Sequence, residues 1–148
     1  MAIRKRLKQL EALTVTEWRV LLLSILLLPM IALVLQFKGF KWTQTLLSKH
    51  LSEKHGILIP EDEQLKIAQS VARVISIAAN HGFYSANCLK KSLLTWWLLR
   101  RRGIPIELKI GVNKDVGDFN AHAWVECRGN VLIDTTDVGQ RFSAFDSR

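Results

Sequence analysis

The hydrophobic pattern of this chain is dominated by 16 uncharged residues, Val20 to Leu35, which read VLLLSILLLPMIALVL. Just ahead of them, Thr14-Val15-Thr16-Glu17 has the form of a helix start, with Thr14 at the N-cap and Glu17 three positions on. Gly39 is placed to end that helical region, and Lys41 to Leu51 predicts a short helix. Glu53 to Pro60, with Gly56, reads as a loop. Pro60-Glu61-Asp62-Glu63 then predicts a strong helix start, with proline near the first turn and acids at the positive end of the dipole. A wide apolar stripe follows: Leu65, Ile67, Ala68, Val71, Ala72, Val74, Ile75 and Ile77 to Ala79. Asn80-His81-Gly82 closes it.

The second half changes period. Cys88 to Arg102 predicts a helix whose last turn carries three arginines, and Gly103 and Pro105 stop it. Ile106 to Val112 alternates as a strand, and Asn113 to Asn120 is a polar loop. Ala121 to Cys127 is a second strand, Arg128-Gly129-Asn130 a turn, and Val131 to Asp134 a third strand. Helices come first and antiparallel strands after, so the fold class is α+β. With 148 residues and 49% apolar composition the chain has room for one domain and one core. We divide residues 1–148 into an N-terminal helical part over 1–59 and a second part over 60–148.

The formal charge of +8 is unevenly spread, with nine Lys/Arg against three Asp/Glu in residues 1–54 and twelve against ten in the rest. A basic surface attracts anions of any kind. No RNA- or DNA-binding motif accompanies it, so nucleic acid is not an expected partner. A membrane helix needs about 20 apolar residues, with a range of about 17–25. Gln36 and Phe37 extend the central run to the lower edge of that range, with Arg19 and Lys38 as interfacial anchors. No small-residue cleavage site follows, which argues against a signal peptide. We favour a buried helix, or two helices bent at Pro29, over insertion. Membrane contact through Val20–Leu35 stays open.

Cys88, His122 and Asp134 form the constellation that suits chemistry. Cys88 opens a helix, where backbone N–H dipoles favour a thiolate. His122 shares one strand face with Trp124 and Glu126, while Ala121, Ala123, Val125 and Cys127 face the other way. A three-residue hairpin loop would pair Trp124 with Asp134 and make Asp134 a diagonal neighbour of His122. A slip of one residue would undo that arrangement. Cys127 is the rival thiol and reads as core; His81 is an alternative base and Asp137 a fallback acid. Trp96 and Trp97 read as core, one of them a candidate wall for a peptide groove. His50 and His55 have no partner at ligand spacing, so neither a metal nor a cofactor is expected. Two cysteines are too few for a disulfide framework, which suits a reducing, cytoplasmic setting.

The stretch CLKKSLLTWWLLRRRGIPIELKIGV, followed by AHAWVE, a glycine turn and VLIDT, resembles the lasso-peptide leader peptidases. These are the "B" proteins of lasso-peptide biosynthesis, within the transglutaminase-like cysteine protease superfamily. EWRVLLLSILLLPMIALVLQFKGF resembles that family's entry into its catalytic part, so the similarity spans nearly the whole chain. The resemblance implies a transglutaminase/papain-like fold, with Cys88 as nucleophile, His122 as base and Asp134 as orienting acid. It implies a cysteine endopeptidase that removes the leader from a ribosomally made precursor peptide, ahead of a separate lasso cyclase. Members lacking an N-terminal winged-helix module work with a separate small leader-binding protein, and this chain is expected to do so. Two other readings stay open: a transglutaminase-like acyltransferase with the same triad, and a membrane-associated, non-catalytic adaptor.

Overall fold

A computed structural model describes residues 8, 11–51, 59–81, 88–113, 121–132 and 142–145. The fold is α+β. The helices are α1 (Val15–Lys38), α2 (Phe40–Lys49), α3 (Glu61–His81) and α4 (Cys88–Arg101). The sheet is built from β1 (Glu107–Asn113), β2 (Ala121–Cys127), β3 (Asn130–Val131) and β4 (Phe142–Phe145), in the antiparallel order β3-β2-β1-β4.

Local chemistry explains most boundaries. Thr14 and Glu17 form a reciprocal capping box: the Thr14 N–H donates to Glu17 Oε2 (2.8 Å) and the Glu17 N–H to Thr14 Oγ1 (3.3 Å). Gly39, at φ 80°, ends α1 and donates its N–H to the Leu35 carbonyl. A left-handed φ is the conformation glycine adopts without a Cβ penalty. The Pro60 carbonyl accepts from the N–H groups of Glu63 and Gln64, starting α3. At the end of α4, Gly103 (φ 77°) lets Ile104 N–H reach back to the Leu99 carbonyl, a Schellman closure.

Pro29 does not divide the apolar run. α1 passes through it as one helix, at the cost of the hydrogen bond that proline cannot donate. Nor is α1 a fully buried helix. Val20, Leu21, Ser24, Leu28, Ile31 and Ala32 are buried, while the opposite side is exposed. The buried side joins Ala68, Val71, Val74 and Ile75 of α3, Leu93, Leu94 and Leu99 of α4, and Val125 and Cys127 of β2 in one core cluster. That core therefore spans both the helical part and the part that bears the strands.

The hairpin after β2 departs from expectation. Cys127 pairs with Asn130 and Glu126 with Val131, so the loop is two residues, Arg128-Gly129. Both residues have positive φ, 52° and 81°, as a type I′ turn requires. The Leu132 N–H continues this register to the Val125 carbonyl at 2.9 Å. The expected three-residue loop is thus corrected to two residues. Asp134 itself lies outside the described residues, as do the predicted loops over 53–58 and 114–120. Strand β4 was not expected; it pairs with the free side of β1, Gly111 opposite Ala144.

Candidate active site

Cys88 is the first residue of α4, half-buried and a free thiol. At a helix start the first N–H groups have no intrahelical acceptor, so the sulfur sits at the positive end of the dipole. Ser92 follows Cys88 by four residues and therefore shares its helix face. Its hydroxyl, fully buried, donates to the carbonyl of Ala123 at 3.1 Å. Ala123 is the residue after His122.

The direction of α4 follows from its other end. Trp96 and Arg100 share a cavity with Glu107, Leu108 and Lys109 of β1. Those residues pair with Glu126, Val125 and Trp124, in the later half of β2. Ser92 meets the early half of β2, and Arg100 lies beside the stretch of β1 that pairs with its later half, so helix and strand run the same way. The Cys88 end of α4 therefore lies toward the His122 end of β2.

His122 is half-buried, and its ring stacks on that of Trp124 with centroids 6.3 Å apart and planes at 21°. Trp124 is 1% exposed, and its indole N–H donates to Glu126 Oε1 at 2.7 Å. One strand face thus carries an ordered series, with Glu126 fixing the indole and the indole flanking the imidazole. Across the ladder His122 faces Gly111, which has no side chain to crowd the ring. Ser92, Trp124, Glu126 and Gly111 were not singled out from sequence as site residues. The available signal was the i+4 spacing of Ser92 from Cys88 and the two-residue period of the strand.

The other candidates separate by environment. Cys127 is buried in the core, and desolvation pushes its thiol pKa up, against a smaller opposing influence of the Arg128 charge. A buried thiol with a raised pKa is a poor nucleophile, which fits its reading as core. Trp96 is core, and Trp97 packs partly buried against it; Arg100 and Arg101 lie over their rings at 5.6 and 4.7 Å. His81 closes α3 and His50 is the exposed C-cap of α2. Asn87, Asp137 and His55 lie outside the described residues. A cavity of about 560 Å³ is lined by Glu17, Val20, Lys66, Ser70 and Arg102. It sits at the far end of α4 from Cys88, about 21 Å along a helix of this length, and neither Cys88 nor His122 lines it.

A free thiol at a helix start and an imidazole on the neighbouring strand are the groups that acyl transfer through a thioester uses. The family comparison agrees with that chemistry, since the model for the transglutaminase-like superfamily matches residues 27–145. The chain belongs to the transglutaminase-like superfamily. The match begins inside α1 and runs to the end of β4, so it includes Cys88, His122 and the whole sheet. Neither a curated protein nor a solved structure matches the chain. Superfamily membership points to cysteine protease or acyltransferase activity.

Proposed function

We propose that this protein is a cysteine endopeptidase that removes the leader from a ribosomally made lasso-peptide precursor. The observation that carries the chemistry is the Ser92–Ala123 hydrogen bond, which ties the helix turn after Cys88 to the residue after His122. The substrate assignment rests on the resemblance of the Cys88 helix, RRRG and AHAWVE to lasso leader peptidases.

In this mechanism the Cys88 thiolate attacks the scissile carbonyl and the carbonyl electrons move onto oxygen. The backbone N–H of Cys88, at the helix start, donates to that oxyanion. The His122 imidazolium gives its proton to the leaving amine as the C–N bond breaks, leaving an acyl-enzyme. His122 then takes a proton from water, the hydroxide attacks the thioester, and the Cys88 thiolate departs. Asp134 orients the imidazole through its second nitrogen. A separate small leader-binding protein presents the precursor, and a separate lasso cyclase uses the freed core amine. The setting is cytoplasmic.

The test is mass spectrometry of precursor incubated with the protein, with and without the leader-binding partner, for wild type and Cys88→Ala. Leader and core fragments that appear only with wild type support the reading. Fragments that need the partner identify a split enzyme. A core joined to an added amine, in place of free acid, would assign acyl transfer instead. Normal cleavage by Cys88→Ala would remove the mechanism. Absence of either reaction from a folded protein with its precursor and partner would leave the non-catalytic adaptor.

A further inference from the structure

Helix α1 has two apolar faces, and the core uses one. On the other, Val15, Leu22, Leu26, Met30, Leu33 and Phe37 step outward at 55–76% exposure, following helical spacing along 24 residues. Between Arg19 and Gln36 this outer face has no polar side chain; Ser24 is turned inward and donates to the Val20 carbonyl. A helix of this length measures about 36 Å. A continuous apolar stripe of that extent exceeds the scattered hydrophobic exposure ordinary on a soluble domain.

We propose that the outer face of α1 rests on an anionic lipid bilayer, with the helix parallel to the membrane plane. Charge is the first reason. From Val15 to Leu51 the chain has one acid, Glu17, and it is turned inward onto Ser70 and Arg73, both at 2.7 Å. The exposed charges at the two ends of the face, Arg19, Lys38 and Lys41, are all basic. A second copy laid on this face in either direction would set cation against cation. Lipid phosphates complement it.

The aromatic residues are the second reason. Trp18 and Trp42 stand exposed near the two ends of α1, at 40% and 46%, and Lys38 lies 5.8 Å from the Trp42 ring centroid. Tryptophan and lysine at the margins of an aliphatic face match the headgroup boundary of a membrane. By length and composition α1 is also able to span a bilayer. Spanning, however, would withdraw Val20, Leu21, Leu28 and Ile31, each at most 4% exposed, from the core they help form. Lying on the surface keeps that core intact.

The test is flotation of the full chain with phosphatidylcholine vesicles, with or without about one-third phosphatidylglycerol, at low and high salt. Binding is expected with phosphatidylglycerol, falling several-fold at high salt. Leu22→Glu/Leu26→Glu is expected to weaken binding at least tenfold while keeping the wild-type melting curve, because both sites face outward. Lys38→Gln/Lys41→Gln should erase the preference for anionic lipid, and Leu33→Glu alone serves if the double variant melts early. Lipid binding by a folded Leu22→Glu/Leu26→Glu protein would overturn the proposal. Resistance to alkaline carbonate extraction would replace it with a spanning helix. A lipid-free dimer abolished by Leu26→Glu would replace it with self-association. These readouts do not depend on peptide cleavage, so they succeed or fail separately from the peptidase reading.

Discussion

The Ser92 hydroxyl donates to the Ala123 carbonyl over 3.1 Å, one helical turn past Cys88 and one residue past His122. Around it the core contacts of α4 are mostly apolar: Leu93, Leu94 and Leu99 have no exposed surface, and Trp96 is buried with them. Such contacts hold the helix against the sheet without fixing where along the strand it sits. A hydrogen bond has a length and an angle to satisfy, so this one sets the axial position of the thiol relative to the imidazole. Ser92→Ala should cost about 1–2 kcal/mol in urea unfolding with an unchanged slope. In the cleavage assay it should lower kcat more than it raises KM. Full kcat in that variant would mean the bond does not position the site.

The two thiols predict opposite behaviour. Cys88 is half-buried, while Cys127 is fully buried with its pKa raised by desolvation. Native protein treated with iodoacetamide should be alkylated at Cys88 alone, with Cys127 labelled only after unfolding. Cys127→Ala should retain cleavage and lose about 1 kcal/mol of stability. Equal labelling of both thiols in the folded state would contradict the packing of β2.

Glu17 links acid stability to the start of α1. The Thr14 N–H, the Ser70 hydroxyl and Arg73 together hold its carboxyl at about 2, down from 4.5. A folded-state pKa below the unfolded one means that the ionised form contributes stability. That contribution is complete above about pH 5 and is lost as the pH falls toward 2. Glu17→Gln should therefore destabilise the protein by about 1–2 kcal/mol at pH 7, and the two proteins should converge near pH 2. Parallel stability curves across that range would show that Glu17 does not carry the acid dependence.

Much of this was legible because it is local. Thr14 and Glu17, Gly39, Pro60 and the Cys88-to-Gly103 helix announce themselves within a few residues, through capping and turn chemistry. The bounds of β2 follow from alternation, and so does the common face of His122, Trp124 and Glu126. What was missed is non-local or hidden by uniformity. Phe142 to Phe145 is too short to read as a strand until β1 offers it a free edge. The run from Val20 to Leu35 is apolar on every side, so its pattern could not say which face the core would take. Arg128 at φ 52° is an unusual residue for a type I′ position, and it concealed the two-residue turn.

That turn makes its own prediction. Arg128 sits in the left-handed region and offsets part of the strain by pairing with Glu61 at 3.1 Å. The pair is exposed, with Glu61 at 73% and Arg128 at 40%, and such pairs contribute little. Asn-Gly suits a type I′ turn better than Arg-Gly. Arg128→Asn should raise thermal stability by about 0.5 kcal/mol, and Gly129→Ala should lower it by about 1 kcal/mol. Destabilisation by Arg128→Asn would indicate that the Glu61 pair, not the turn, governs this corner.

The one-residue register shift bears directly on the third member of the proposed triad. With Cys127 opposite Asn130, regular pairing carried onward would set Asp134 opposite Ala123 instead of Trp124. Partners in a ladder share a face, and Ala123 alternates with His122. Strand alternation alone therefore does not assign Asp134 to the His122 face, and its role in the proposed mechanism is a matter for substitution. Under the proposed mechanism Asp134→Asn should lower kcat/KM by on the order of 10²–10⁴, with little change in melting temperature. Asp137→Asn should stay within about twofold of wild type, a difference of about 0.4 kcal/mol. The reverse pattern, loss at Asp137 and tolerance at Asp134, would move the orienting carboxylate three residues along the chain while leaving Cys88 and His122 in their roles.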